Sequence, residues 1–389
     1  MAMWIGIDAS RATGARLTGT ERYSREVIAA ILRGAPEHYF RLYLRESLDP
    51  DFPIPSRRGG SIEPVLIARR RLWTHLGLAR ELVARPPDAL FVPAHVLPVT
   101  LSCLPAQRRI RAVVTIHDVG YRHFPDAHPL AQRLYLELGT RLSVRRADVV
   151  IADSEATRRD LIRFYDGSVS PERIVVAHPG PLLPLDVPAQ ETHRVLAKFG
   201  LGDGQPYVLH VGTLQPRKNL RRLVQAWARV VADSHLAGMR LVLAGGRGWG
   251  NEDLCAAVEA ADVRSSVILT GYLSEMEKSA LLRRARAYVF PSLYEGFGFP
   301  VLEAQSVGVP VACSNTSALP EVAGSGAVLF DPLDVEAIAH AIKLVLTDEA
   351  TRERLIEAGR CNLMRFSWEA CARAVLNSLT AAGRAAENE

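Results

Sequence analysis

The chain has 389 residues, 48% of them hydrophobic and 23% charged, with a formal net charge of +5. That length favours two domains over one, and the composition is that of a globular α/β protein rather than a disordered or fibrous one. No apolar run reaches the length of a membrane span, the nearest (89–106) being broken by Pro93, His95, Pro98 and Pro105.

The start, MAMWIGIDAS, lacks the basic residues and long apolar stretch of a signal peptide. It reads instead as a first strand, Trp4 to Asp8, followed by a loop holding Gly14, Thr18, Gly19 and Thr20, then a helix from about Glu21 to Arg33. Further strands are expected at 39–44, 89–92, 112–116 and 148–151, and helices at 70–85, 128–146 and 155–164. Strands alternating with helices predict a parallel sheet covered on both faces. The run His178 to Pro188 holds four prolines and reads as a linker. The alternation then restarts, with strands at 207–211, 240–244, 267–270, 287–290, 310–313 and 327–330 and helices after 334 and after 367. Two doubly wound α/β domains are therefore expected, with ligands beyond the C-terminal strand ends. The five cysteines, Cys103, Cys255, Cys313, Cys361 and Cys371, have no paired spacing, so neither a disulfide framework nor a zinc site is indicated, and a cytoplasmic location is expected.

Charge is unevenly placed. Residues 1–190 hold 26 Arg, no Lys and 20 acids (+6), and the remainder holds 21 basic and 22 acidic residues (−1). Clusters stand at Arg57-Arg58, Arg69-Arg70-Arg71, Arg108-Arg109 with Arg111, and Arg145-Arg146. They read either as a solvated surface or as a face drawn to anionic lipid or a pyrophosphate-linked acceptor. No recognition module accompanies them, so nucleic acid is not an expected partner.

The segment Phe290 to Gly308, F-P-S-L-Y-E-G-F-G-F-P-V-L-E-A-Q-S-V-G, carries the most chemistry. It places Glu295 and Glu303 on either side of a bend holding Gly296 and Gly298, with Pro300 suited to the first position of a helix. Strand, glycine bend and helix start aim main-chain N–H groups at one point, an anion site flanked by carboxylates that accept from hydroxyls. A nucleotide sugar fits that description. Arg217-Lys218 supplies matching positive charge. Lysine is scarce, with only Lys198, Lys218, Lys278 and Lys343 in the chain, so a lysine kept beside an arginine points to a site that uses a compact ammonium. The only D-x-D spelling, Asp49-Pro50-Asp51, follows no strand and reads as surface, so no metal site is expected. The run Gly245-Gly246-Arg247-Gly248-Trp249-Gly250 is glycine-rich but is not the dinucleotide fingerprint.

These stretches, with His210-Val211-Gly212-Thr213-Leu214-Gln215-Pro216-Arg217-Lys218-Asn219-Leu220, Leu269-Thr270-Gly271-Tyr272 and Thr115-Ile116-His117-Asp118, resemble glycosyltransferase family 4, the retaining enzymes with an E-x7-E motif. The resemblance implies a GT-B fold, two Rossmann-like domains facing across a cleft. Residues 1–185 would form the acceptor-side domain and 189–367 the nucleotide-sugar domain, and a last helix, about 368–389, would pack back on the first. It implies a hexosyl transfer from a nucleotide sugar to a hydroxyl of a glycan or lipid-linked acceptor, with no metal or other cofactor. GDP-mannose is the first donor expectation, because the T-L-x-P-R-K-N wording is similar to mannosyl- and rhamnosyl-type transferases of polysaccharide assembly. It implies that Glu295 orients the sugar, Glu303 holds the ribose, Arg217 and Lys218 bind the diphosphate, and His117 stands at the reacting side. Asp118 either orients His117 or caps the next segment. Gly19, Gly212, Gly246, Gly271, Tyr272, Gly298, Phe299, Val301 and Leu302 would contribute donor contacts, largely through the main chain. One departure is that Thr213 stands where many members have arginine. A GT-B epimerase and a non-catalytic sugar-nucleotide or glycan-binding protein are the alternatives, disfavoured because E-x7-E, P-R-K-N and His117 are intact.

Overall fold

The computed structural model describes residues 2–13, 18–49, 52–55, 60–69, 71–103, 109–125, 129–202, 204–246, 248 and 252–381. Expectations attached to Gly14, Pro50, Asp51, Arg57, Arg58, Arg70, Pro105, Arg108, Arg247, Trp249, Gly250 and residues 382–389 lie outside the described residues. The chain divides into two units, Met1–Gly180 with Phe366–Glu389, and Pro181–Arg365.

The first unit is built on seven parallel strands: β1 (Trp4–Asp8), β2 (Tyr39–Leu44), β3 (Ile62–Leu66), β4 (Ala89–Val92), β5 (Arg111–Ile116), β6 (Val149–Ala152) and β7 (Ile174–Val176), in the order β3-β2-β1-β4-β5-β6-β7. The sequence reading omits β3 and β7. In β3, Pro64 and Glu63 break the apolar pattern and only Val65 is buried, a composition a sheet edge tolerates. The other edge strand, β7, has three residues, too few to register as a period. The helix expected over 70–85 is a π-helical turn, Trp73–Leu78, running into an α-helix, Ala79–Ala84.

The second unit has six parallel strands: β8 (Tyr207–Val211), β9 (Arg240–Ala244), β10 (Val267–Gly271), β11 (Ala287–Phe290), β12 (Val311–Ser314) and β13 (Ala327–Phe330), in the order β10-β9-β8-β11-β12-β13. Strands buried on both faces read as continuous apolar runs, which is why their limits are legible in the sequence. The helix Leu220–Val231 shows how one face of this sheet is covered. Leu220, Leu223, Val224, Trp227 and Val230 recur at helical spacing and are buried, and the Trp227 indole donates to Ser266 Oγ at 3.0 Å.

The second unit starts at Pro181 rather than at 189, because the end of the proline run is fastened to it. The Leu185 amide donates to Ser279 Oγ at 2.9 Å, and the Arg283 guanidinium donates to the Leu185 and Pro184 carbonyls. The last described helix, Trp368–Thr380, belongs to the first unit. It lies along the helix Gly19–Gly34, sets Trp368 edge-on to Tyr23, and accepts from Arg111 at the Ser378 carbonyl. Among the described residues no helix is long and apolar enough to cross a membrane.

Candidate functional site

In each unit the strand order reverses beside the first strand, between β1 and β4 and between β8 and β11. Loops leaving the two strands at such a point turn to opposite faces of the sheet and leave a crevice at their C-terminal ends.

In the second unit that crevice is charged. After β8 the chain makes a 3-10 turn, Pro216–Lys218, stopped by Asn219 in the left-handed conformation (φ 58°). The Leu293 amide donates to the Arg217 carbonyl at 2.9 Å, tying this turn to the loop after β11. Lys218 Nζ thereby sits 2.5 Å from Glu295 Oε1, and an Arg217 guanidinium nitrogen sits 2.9 Å from Glu295 Oε2. Lys218 and Glu295 are both more than nine-tenths buried, and the Lys218 ammonium also lies 4.8 Å from the centre of the Phe290 ring. Burial pushes the Glu295 carboxyl up, but the Lys218 and Arg217 charges outweigh it and hold the group at about 2. Two cations against one carboxylate leave the cluster with a single net positive charge. His210 beneath it donates from Nδ1 to the Val289 carbonyl, and burial together with the Lys218 charge holds it at about 4, so it is neutral at physiological pH.

Glycines let the neighbouring loops close on this point. Gly245 has φ +151°, and a Cβ there would lie 1.9 Å from the Gly212 carbonyl oxygen, so only glycine fits. The Leu214 amide bonds the Gly246 carbonyl, and the Gly245 amide bonds the Gly271 carbonyl, which brings Gly212, Gly246 and Gly271 together at the ends of β8, β9 and β10. Tyr272 projects outward and is mostly exposed. Gly298, with φ +123°, caps the helix Phe299–Ser306, whose Val301 and Leu302 side chains are fully buried. The Val301 amide already donates to the Gly298 carbonyl at 3.0 Å. Glu303 falls one turn into this helix. Its Oε2 lies 2.9 Å from Lys278 Nζ, a residue the sequence reading left without a role. The signal was present: two of only four lysines hold the two glutamates of E-x7-E.

In the first unit His117 follows β5 and is buried. Its Nδ1 is 2.6 Å from Asp153 Oδ2 and its Nε2 is 2.9 Å from the Pro93 carbonyl oxygen. Both partners are acceptors, so only an imidazolium satisfies both bonds. Burial pushes the ring's pKa down, and the Asp153 charge and these two bonds raise it overall. Asp118, offered as either an orienter of His117 or a cap, is the cap, accepting from the Gly120 amide at 2.8 Å. Asp153 is the orienter and was missed, although it follows β6, the parallel neighbour of β5, one residue beyond the Ile116–Ala152 pair.

His95, whose ring centre is 5.5 Å from that of His117, is held at about 4 by burial and by the His117 charge, and its buried Nδ1 has no hydrogen-bond partner among the described residues. It lines a crevice of about 420 Å³ with Asp8, Ser10, Arg11, Arg45 and Tyr135, at the reversal between β1 and β4. Gly19 starts the helix that follows β1, with open space where a side chain would be.

The depressed Glu295 value gives a pH signature. A carboxyl that titrates lower when folded stabilises fully above its unfolded value and loses that contribution as pH falls through the folded one. Glu295→Gln is therefore expected to cost on the order of 3 kcal/mol above pH 5, with the gap to the native chain closing between pH 4.5 and 2. Denaturant unfolding across that range measures it, and a gap that does not vary with pH contradicts the ion cluster.

Residues 18–180 match the family described as Glycosyltransferase Family 4, and residues 192–361 match Glycosyl transferases group 1. The O-antigen chain mannosyltransferase B of Escherichia coli is 36% identical over 271 residues, 69% of this chain and 70% of that protein. The serotype-specific mannosyltransferase WbdA of Escherichia coli is 29% identical over 60% of this chain, which spans only 29% of that longer protein. Among solved structures, sucrose-phosphate synthase from Thermosynechococcus elongatus superposes with a TM-score of 0.72 at 22% identity, over 96% of this chain and 97% of that one. HepE of Anabaena, solved with UDP and glucose, superposes with a TM-score of 0.72 at 17% identity, over 97% and 99%. With both of its halves matched and a relative aligned over most of its length, this chain belongs to glycosyltransferase family 4 and is a glycosyltransferase of the GT-B fold.

Proposed function

We propose that the chain transfers a mannosyl group from GDP-mannose to a hydroxyl of a growing cell-surface polysaccharide, with retention of anomeric configuration. The observation that carries the donor side is the buried cluster of Lys218, Arg217 and Glu295 at the strand reversal of the second unit. The mannose assignment is supported by the mannosyltransferases of O-antigen assembly among the relatives.

The chemistry follows from the charges. A diphosphate leaving group gains negative charge as the bond to the anomeric carbon breaks, and preformed cations in a water-poor site stabilise that charge without reorganising. Lys218 and Arg217 fill this role, and they do at the diphosphate what a divalent ion does elsewhere. Glu295, held ionised by those same cations, has no proton to give at neutral pH. Its part is to accept hydrogen bonds from the sugar hydroxyls and to keep the cations in place until the donor arrives. Retention then proceeds by attack on the face the leaving group departs from, with a phosphate oxygen taking the proton of the acceptor hydroxyl. Glu303 accepts from the ribose. In the first unit, the crevice lined by Asp8, Arg11, Arg45 and His95 takes the acceptor saccharide, and His117 contributes a fixed positive charge.

Contact with an anionic membrane surface is part of this reading. The helix Leu130–Arg146 is inverted: it buries Gly139, Thr140, Ser143 and Val144 and exposes Leu130, Leu134, Leu138 and Leu142 together with Arg141 and Arg145. Leucines interleaved with arginines suit an interface of acyl chains and anionic headgroups.

Three measurements test these readings. A thermal-shift comparison of GDP-mannose, UDP-glucose and a dTDP-sugar is expected to give the largest stabilisation with GDP-mannose, by mass action. Equal shifts, or none, contradict the donor assignment. Lys218→Ala is expected to lower turnover about a hundredfold, and near-native transfer of mannose by that variant removes Lys218 from the chemistry. The chain is expected to sediment with phosphatidylglycerol vesicles and not with phosphatidylcholine vesicles, and Leu134→Glu combined with Leu138→Glu is expected to abolish sedimentation. Undiminished sedimentation of that variant rules out this helix as the contact.

A further inference from the structure

We propose that Lys278 is a positioning residue for nucleotide recognition. It holds the Glu303 carboxylate in one orientation, with one oxygen occupied and the other offered to the ribose. The inference rests on the assignment of Glu303 to the ribose. Lys278 stands on the helix Glu275–Arg284, which follows β10, whereas Glu303 stands on the helix Phe299–Ser306, which follows β11. The side chains are 12% and 6% exposed, and Nζ lies 2.9 Å from Glu303 Oε2. The same ammonium is 3.2 Å from Glu275 Oε2, at the rim of the helix, so it sits between a buried carboxylate and an exposed one.

A carboxylate this far from water, with its counter-charge removed, swings toward solvent. That movement costs the ribose an acceptor. Lys278 prevents it. Its bond goes to Oε2, and no described residue donates to Oε1, so the oxygen left for a ribose hydroxyl is defined before the ligand binds. A hydroxyl bonded to a fixed acceptor binds more strongly than one bonded to a mobile group. The affinity that Lys278 supplies is thus conditional on the ribose hydroxyls, which separates positioning from plain structural support.

The test is calorimetric binding of GDP and 2′,3′-dideoxy-GDP, with UDP and its dideoxy counterpart in parallel, to the full chain and its variants. The native chain is expected to prefer the ribose form by about tenfold or more. Glu303→Gln is expected to bring that preference close to one, Lys278→Met to reduce it to a similar value, and Lys278→Arg to retain it. Lys278→Gln substitutes for Lys278→Met if the latter fails to fold. If Glu303→Gln removes the preference and Lys278→Met leaves it intact, the role of Lys278 is overturned and the ribose assignment stands. If Glu303→Gln leaves the preference intact, or the native chain has none, the ribose assignment fails and this inference falls with it.

Discussion

The candidate site of the second unit depends on one buried ion cluster. Lys218 and Arg217 come from the turn after β8 and Glu295 from the loop after β11, and these strands are neighbours in the sheet although their loops are far apart in sequence. Removing ammonium, guanidinium and carboxylate from water is costly for each alone, and the arrangement persists because each supplies what the others lack. It also shapes the electrostatics around it: the Lys218 charge adds to the burial that keeps His210 neutral, Glu295 is kept charged, and one net positive charge remains for an incoming anion.

The second glutamate follows the same logic at a smaller scale. Glu295 faces two cations, whereas Glu303 faces one that it shares with Glu275, so the cluster nearer the expected diphosphate keeps spare positive charge while the other does not. A diphosphate and a pair of ribose hydroxyls make different demands: the first needs cations, the second needs an acceptor. The first unit uses a comparable device with the sign reversed, where Asp153 and the Pro93 carbonyl keep His117 charged, and burial together with the His117 charge keeps His95 neutral.

Much of this was legible in the sequence, for identifiable reasons. Eleven strands carry their own signal, since most are buried on both faces and all are apolar runs bounded by turns, and the E-x7-E segment shows its strand, bend and helix start in one stretch. The edge strand β3 was hidden because edges tolerate Pro64 and charge, and β7 because three residues have no period. Partners were the harder part. Asp153 meets His117 through the neighbouring strands β6 and β5, whereas Lys278 and Glu303 stand on helices that follow β10 and β11, strands separated in the sheet by β9 and β8, and a linear reading supplies neither arrangement. The scarcity of lysine pointed to Lys218 and applied with equal force to Lys278.

The return of the helix Trp368–Thr380 to the first unit makes that unit discontinuous in sequence. The seat of Trp368 is specific: a methyl group on Gly180 would lie 2.5 Å from its indole ring, and Tyr23 packs against its edge. During synthesis the seven-stranded sheet therefore emerges first and waits, with the flank of the helix Gly19–Gly34 uncovered, while some 185 residues of the other unit are made. The first unit is completed only by a segment made after the whole of the second. A chain interrupted before Trp368 would carry a finished six-stranded unit and an unfinished seven-stranded one.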